Sequence, residues 1–380
     1  MSFSILAVIV LAGLAGPILA YPARWHVPVV VGELLMGILL GRTGLGYLKD
    51  SDPTFAFLAA IGFGLVMFVA GTHVPVRDTR LQQSLARGTA RAGLVGAGSA
   101  VLGAVLALAF GTGHAALYAV LMASSSAALI LPIIDSLGLG GEQVLQLLPQ
   151  VAIADAACII ALPLAIDPAN AGRAGLGALI LLGCGALLFG VLLAAERKGY
   201  RHRLHKVSED RHFALELRIS LVILFSLAAI ANISHVTVML AGFVFGLAVA
   251  GVGEPRRLAR QLFAITEGFF APLFFVWLGA SLDLAALATR PSLILLGLLL
   301  GVGAVLSHAL TRFTGQPLDL SSLAAAQLGV PVAAATIGNA LHVLAPGESA
   351  ALILGALITI AIATLAGGSV ARRQRVRSTA

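Results

Sequence analysis

Of the 17 acidic residues in this 380-residue chain, Asp155 stands apart by its position. It lies at the centre of Val151-Ala152-Ile153-Ala154-Asp155-Ala156-Ala157, with long, mostly apolar stretches on either side. A charge at the middle of a membrane helix costs about 2.5–3.5 kcal/mol on insertion scales, so it persists where it faces a cavity or a partner. The competing reading is a structural aspartate bonded to a neighbouring helix. No Lys or Arg sits at comparable depth to pair with it. Desolvation disfavours the anion of a carboxylate and a bound cation favours it. A proton and a monovalent metal ion, Na+ or K+, then compete for Asp155. That competition is sufficient to exchange one for the other, provided the empty charged form cannot cross.

Two other stretches carry oxygen ligands of the hard kind that alkali ions prefer. One holds Ser124, Ser125 and Ser126 followed by Pro132; the other holds Gly329-Val330-Pro331 followed by Thr336 and Asn339. Proline removes a backbone donor and strains the preceding turn, which frees carbonyls to ligate a cation. A plain kink with hydroxyls bonded back to the helix explains either stretch alone. Glu33 and Glu267 are partly buried acids expected to be structural. His73, His114, His235 and His342 sit near segment ends, whereas His308 lies deep in its segment and is a further candidate for titration. Cys158 and Cys184 have no spacing for a disulfide or a metal site and read as packing.

The elements that position these residues must be membrane helices. Apolar residues make up 59% of the chain and charged residues 11%, and the mean hydropathy is +1.00, too little polar surface to cover a soluble globule. The net charge of +7 comes from short clusters between apolar runs, with no aromatic-studded basic face, so nucleic acid is not an expected partner. Apolar runs long enough for the bilayer fall at 3–20, 27–41, 54–72, 88–110, 114–136, 143–166, 174–195, 213–231, 235–251, 261–281, 292–311, 321–344 and 348–370. This gives an all-α polytopic membrane protein of about thirteen helices, with a single transporter domain over 1–371 and a basic tail over 372–380. The first run lacks a basic leader and is expected to be retained as a helix rather than cleaved.

Lys and Arg alternate between loops. One side collects Arg24, Arg77, Arg80, Arg87, Arg91, the cluster from Arg197 to Arg211, Arg256, Arg257, Arg260, Arg312 and the tail; the other holds only Arg42, Lys49, Arg173 and Arg290. By the positive-inside rule the N-terminus is outside and the C-terminus cytoplasmic. An internal repeat is also visible. Gly32, Gly37 and Gly41 are matched some 209 positions later by Ala241, Gly246 and Ala250, and Leu65 and Gly71 by Leu273 and Gly279. The repeats, about 27–166 and 235–370, are separated by an odd number of crossings and so have inverted topology, an architecture of secondary transporters.

Pro28-Val29-Val30-Val31-Gly32-Glu33-Leu34-Leu35-Met36-Gly37-Ile38-Leu39-Leu40-Gly41, Leu65-Val66-Met67-Phe68-Val69-Ala70-Gly71 and Ala271-Pro272-Leu273-Phe274-Phe275-Val276-Trp277-Leu278-Gly279 together resemble the monovalent cation:proton antiporter-2 family, the bacterial Na+/H+ and K+/H+ exchangers. The resemblance covers nearly the whole chain. It implies a sodium/proton antiporter-like fold with two broken, crossing helices, here segments five and twelve, an elevator-type cycle and a homodimer. The family's ion-binding aspartate pair falls on Ala154-Asp155, so the second carboxylate carries over and the first does not. The lysine that many electrogenic members place in segment eleven is also missing, and His308 is the only deep ionisable residue there. The two missing charges are the halves of one ion pair, and losing both avoids leaving either buried alone.

The expectation is therefore a secondary active antiporter of the cell inner membrane. It exchanges a monovalent cation for H+ at Asp155, aided by Ser124, Ser125 and Ser126, with Thr336, Asn339 and His308 as further ligands, and it moves no net charge. Its expected partners are cations, protons and membrane lipid, and no cofactor is expected. A symporter or organic-anion carrier of related fold and a non-transporting membrane sensor are the alternatives. An enzyme is not expected, for want of a Ser-His-Asp arrangement, a phosphate loop or metal-ligand spacing.

Overall fold

The computed structural model describes residues 1–21, 28–72, 74, 79–200, 208, 211, 213–234, 236–253 and 262–379, and of 79–84, 128, 132, 135, 136 and 374–379 it describes the backbone alone. Arg24, His73, Arg77, His235, Arg256, Arg257, Arg260 and the 201–207 part of the basic cluster lie outside the described residues. All regular structure among the described residues is helical. In chain order the helices are α1 (Phe3–Gly13), α2 (Ala15–Ala20), α3 (Val29–Leu40), α4 (Pro53–Thr72), α5 (Thr79–Phe110), α6 (Ala115–Ala123), α7 (Ala127–Ser136), α8 (Glu142–Leu145) and α9 (Leu147–Ile166). They continue with α10 (Ala171–Arg197), α11 (Leu215–Ile233), α12 (Val238–Val252), α13 (Ala271–Ser281), α14 (Leu284–Thr289), α15 (Pro291–Ala309), α16 (Leu318–Ala324), α17 (Gly329–Ala340) and α18 (Glu348–Thr379).

Ten helical stretches among the described residues are long and apolar enough to cross a membrane, fewer than the thirteen segments expected. The difference has a structural cause. Val29–Leu40 and Val238–Val252 are shorter apolar helices, and segment five is divided between α6 and α7. The last helix runs on to Thr379, so most of the stretch expected as a tail is helical. Arg373 Nη1, on that extension, lies 3.0 Å from Asp319 Oδ2.

The helices gather into two compact units. The first holds α1–α4 and α10–α13. Its core is two pairs of helices, α3 on α13 and α4 on α12, brought close by glycines. A Cβ on Gly37 would overlap Val276 O and lie 2.9 Å from Gly279 Cα, and a Cβ on Gly246 would overlap Phe68 O and lie 2.8 Å from Gly71 Cα. Without a hydrophobic drive between helices in lipid, such backbone proximity supplies the van der Waals contact that holds them. The contacts are reciprocal under the sequence repeat. Exchanging Gly37 for Gly246 and Gly279 for Gly71 turns one contact into the other, as an internal two-fold requires. Glu33 is buried on α3, whereas Glu267, in the π turn Thr266–Phe270 ahead of α13, is exposed rather than partly buried.

The second unit holds α5–α9 and α14–α18. Here α5 packs on α6, α9 and α15, while α18 packs on α15, α16 and α17. Within it, two chain segments stop being helical partway along: α6 gives way to α7 at residues 124–126, and α16 to α17 at residues 325–328. An apolar cluster including Ile130, Val151, Leu323, Ala326 and Ala363 packs around these interruptions.

Candidate functional site

The interruptions of the two broken helices meet. Ser126 N donates to Ala326 O at 2.8 Å, and Ser125 Oγ donates to Ala324 O at 2.7 Å. Ser124 has extended backbone (φ −70°, ψ 151°), which ends α6. Each break leaves carbonyls and N–H groups without intrahelical partners, and at membrane depth protein groups must satisfy them.

Asp155, from the unbroken α9, supplies one such partner. It is 3% exposed, and its Oδ2 accepts the N–H of Ala127, the first residue of α7, at 3.0 Å. A carboxylate at a helix N-terminus answers an orphan donor and the positive end of the helix dipole together. None of the ion pairs among the described residues involves Asp155. Ala154 beside it is buried and apolar.

The serines just ahead of Ala127 make proton-sharing contacts of their own. Ser124 Oγ lies 2.8 Å from Leu121 O and 2.8 Å from Gln327 Oε1. A hydroxyl has one proton, so it serves one acceptor at a time. Ser125 Oγ is 2.7 Å from Ala324 O and 3.3 Å from His308 Nε2, and His308 Nδ1 is 2.9 Å from Ala304 O. If Nδ1 carries the proton of a neutral imidazole, Nε2 competes with Ala324 O for the Ser125 proton. His308 is fully buried and reaches the crossing through Ser125.

The second broken helix is held in a parallel way by two residues that sequence reasoning missed. The N–H of Gln327 donates to Thr359 Oγ1 at 3.3 Å, and Thr359 Oγ1 donates its own proton to Ala356 O at 2.7 Å. Both side chains are buried. A lone Gln and a lone Thr inside apolar runs were the only signal the sequence offered for them.

The structure does not gather every predicted ligand. Pro331 is the third residue of α17 and Pro132 lies within α7, so both prolines follow the breaks instead of making them. Pro331 sits in the first turn, where its missing N–H has no intrahelical partner to lose. Thr336 Oγ1 donates to Val332 O of its own helix at 2.9 Å, and Asn339 lies in the last turn of α17. At 1.5 Å per residue they stand roughly 10 and 15 Å along the axis from the start of α17.

A family model described as sodium/hydrogen exchanger, transmembrane, matches residues 6–373. The chain is 26% identical over 379 residues to the putative Na(+)/H(+) antiporter YjbQ of Bacillus subtilis, covering 94% of this chain and 61% of that protein. It is 27% identical over 329 residues to the Na(+)/H(+) antiporter NhaS5 of Synechocystis, covering 83% of this chain and 46% of that protein. The chain thus spans about half to three-fifths of the length of these two relatives. Its fold matches the structure of the sodium proton antiporter MjNhaP1 from Methanocaldococcus jannaschii with a TM-score of 0.62 at 16% identity, over 97% of this chain and 96% of that one.

Proposed function

We propose, from the premise that this chain belongs to the transmembrane sodium/hydrogen exchanger family, that it exchanges a monovalent cation, Na+ or K+, for H+ at the single carboxylate of Asp155. The observation that carries the reading is the buried Asp155 carboxylate on the N–H of Ala127 where the two broken helices meet. One carboxylate oxygen is held by that N–H; a cation takes the other oxygen together with the hydroxyl lone pairs of Ser124 and Ser125 and the carbonyls freed at the breaks. These are hard oxygen ligands of the kind alkali ions take.

The cycle follows from charge. Empty and ionised, the site is too costly to carry through an apolar region; with a cation or a proton bound it is neutral. Only loaded forms change sides, so a cation moves one way and a proton the other. With alanine at position 154 and no ion-pair partner for Asp155 among the described residues, one cation is exchanged for one proton and transport is electroneutral. The gathering of both broken helices and Asp155 in one compact unit supports an elevator-type cycle in which that unit carries the ion. The setting is the cell inner membrane, with the N-terminus outside, the C-terminus cytoplasmic and two copies forming a dimer.

The test is Asp155→Asn in everted vesicles, followed by a pH-sensitive dye on addition of each alkali cation. The variant is expected to insert at wild-type levels and to show no cation-dependent proton movement. Wild-type exchange by the variant refutes the assignment.

A further inference from the structure

We infer that Thr359 is a positioning residue for the cation site, the neutral counterpart of Asp155 in the second repeat. The inference rests on the antiport reading above and extends it to a residue outside the broken helices. In the first repeat, the unbroken α9 sends Asp155 to accept the N–H of Ala127 at the break between α6 and α7 (3.0 Å). In the second, the long α18 sends Thr359 to accept the N–H of Gln327 at the break between α16 and α17 (3.3 Å). The Ser126-to-Ala326 hydrogen bond joins the residues immediately preceding the two capped positions. Each repeat thus uses a side-chain oxygen from its last helix to hold the interrupted chain before it.

The chemistry of the two caps differs in one respect. Asp155 can take up a proton or a cation. The single proton of Thr359 is committed to Ala356 O at 2.7 Å, so toward Gln327 its oxygen acts as an acceptor and does not titrate. Its effect passes along a short chain of contacts. Thr359 fixes the backbone of Gln327, Gln327 Oε1 sits 2.8 Å from Ser124 Oγ, and Ser124 is three residues ahead of the Ala127 that Asp155 caps. A Ser124 hydroxyl whose proton is drawn to Gln327 Oε1 turns its lone pairs elsewhere, in the orientation a bound cation needs. Loss of the Thr359 acceptor leaves a buried N–H unpaired and frees Gln327 to shift. The site then holds its cation less well, while proton binding at Asp155 is untouched.

Because Thr359 acts through its hydroxyl, the substitutions that test it separate hydroxyl from volume. Exchange is measured in proteoliposomes of the full chain with Na+, and with K+ if K+ is the ion that supports exchange. Rates are normalised to inserted protein. Thr359→Val keeps the shape and removes the acceptor, and is expected to raise the apparent KM for the cation about fivefold, the factor that one hydrogen bond of about 1 kcal/mol carries, with the maximal rate within about twofold of wild type. Thr359→Ser restores the wild-type KM, and Thr359→Ala behaves as Thr359→Val. An ordering by volume, with Val like wild type and Ser and Ala both impaired, overturns the inference, as does a wild-type KM in all three. If Val does not insert, Ser against Ala decides by the same criterion. Asp155→Asn in the same membranes keeps the two readings apart. Activity in that variant refutes the antiport assignment itself, whereas an inactive Asp155→Asn beside a wild-type Thr359→Ala refutes only the role of Thr359.

Discussion

Replacing Asp155 separates the two jobs assigned to its side chain, and the hydrogen bond to Ala127 sets the size of the effect on stability. Asparagine keeps an oxygen where Oδ2 accepts the Ala127 N–H at 3.0 Å, so the N-terminal cap of α7 survives. It cannot ionise. Alanine removes the oxygen as well, which costs about 0.5–2 kcal/mol for a lost cap. The Ala127 N–H, at a position 2% exposed, then has no solvent to turn to, and a buried unpaired donor costs about 1–3 kcal/mol. These figures describe overlapping losses, so Asp155→Ala is expected to destabilise by about 1–3 kcal/mol, while Asp155→Asn stays within about 1 kcal/mol of wild type. Both lose all cation-dependent proton movement. The measurements are dye-reported exchange in everted vesicles across pH and a thermal denaturation midpoint of the purified protein in detergent. A midpoint for Asp155→Asn as low as that of Asp155→Ala would show that the charge, and not the oxygen, holds the break. Retained exchange in either variant refutes the chemistry assigned to Asp155.

Four further outcomes are expected. Collapsing the membrane potential in proteoliposomes leaves the exchange rate nearly unchanged, since one carboxylate trades one charge for another; a marked voltage dependence contradicts this. On the acid side, where one proton excludes one cation, the apparent KM rises toward a limit of about tenfold per pH unit, as a single-site linkage requires; a steeper rise points to a second titrating group. Thr336→Val removes only a bond to Val332 O of its own helix, so exchange kinetics stay at wild type and stability within about 0.5 kcal/mol; a raised KM would restore Thr336 as a ligand. Gly37→Ala and Gly246→Ala press a Cβ onto equivalent carbonyls, Val276 O and Phe68 O, and each is expected to cost about 1–3 kcal/mol in thermal denaturation; a large difference between the two contradicts an internal two-fold in this unit.

The sequence made some of this legible for clear physical reasons. Asp155 is conspicuous because a charge inside an apolar run has a cost that no composition bias explains. The repeat is readable through Gly37, Gly71, Gly246 and Gly279 because at those positions the neighbouring backbone leaves room for nothing larger, and the same four residues form the reciprocal contacts of the first unit. Ser124–Ser126 fall at the first break itself, whereas Pro132 and Pro331 lie beyond the two breaks. Proline signals a missing donor but is tolerated in a helix's first turn, so it marks the neighbourhood of an interruption more than its position. Thr336 and Asn339 were drawn in as ligands for the same reason, by closeness along the chain to Pro331. Gln327 and Thr359 were missed because a lone amide or hydroxyl in an apolar segment usually bonds back to its own helix. Only the three-dimensional pairing of Gln327 N with Thr359 Oγ1 and of Gln327 Oε1 with Ser124 singles them out.

The hydroxyls at the crossing have a consequence beyond their geometry. Ser124 and Ser125 bring two protons to a place where Leu121 O, Gln327 Oε1, Ala324 O and His308 Nε2 all lie within reach of their oxygens. Acceptors outnumber the hydroxyl protons that could satisfy them, so lone pairs remain unshared whichever way the hydroxyls turn. A deficit of this kind is a standing attraction for anything small, positive and bare, before the charge of Asp155 is counted. It also disfavours anions, which would add further lone pairs to the surplus. This arithmetic of donors and acceptors favours a cation over an anion at the crossing, and in the proposed cycle the carboxylate has only to decide whether the occupant is a metal ion or a proton.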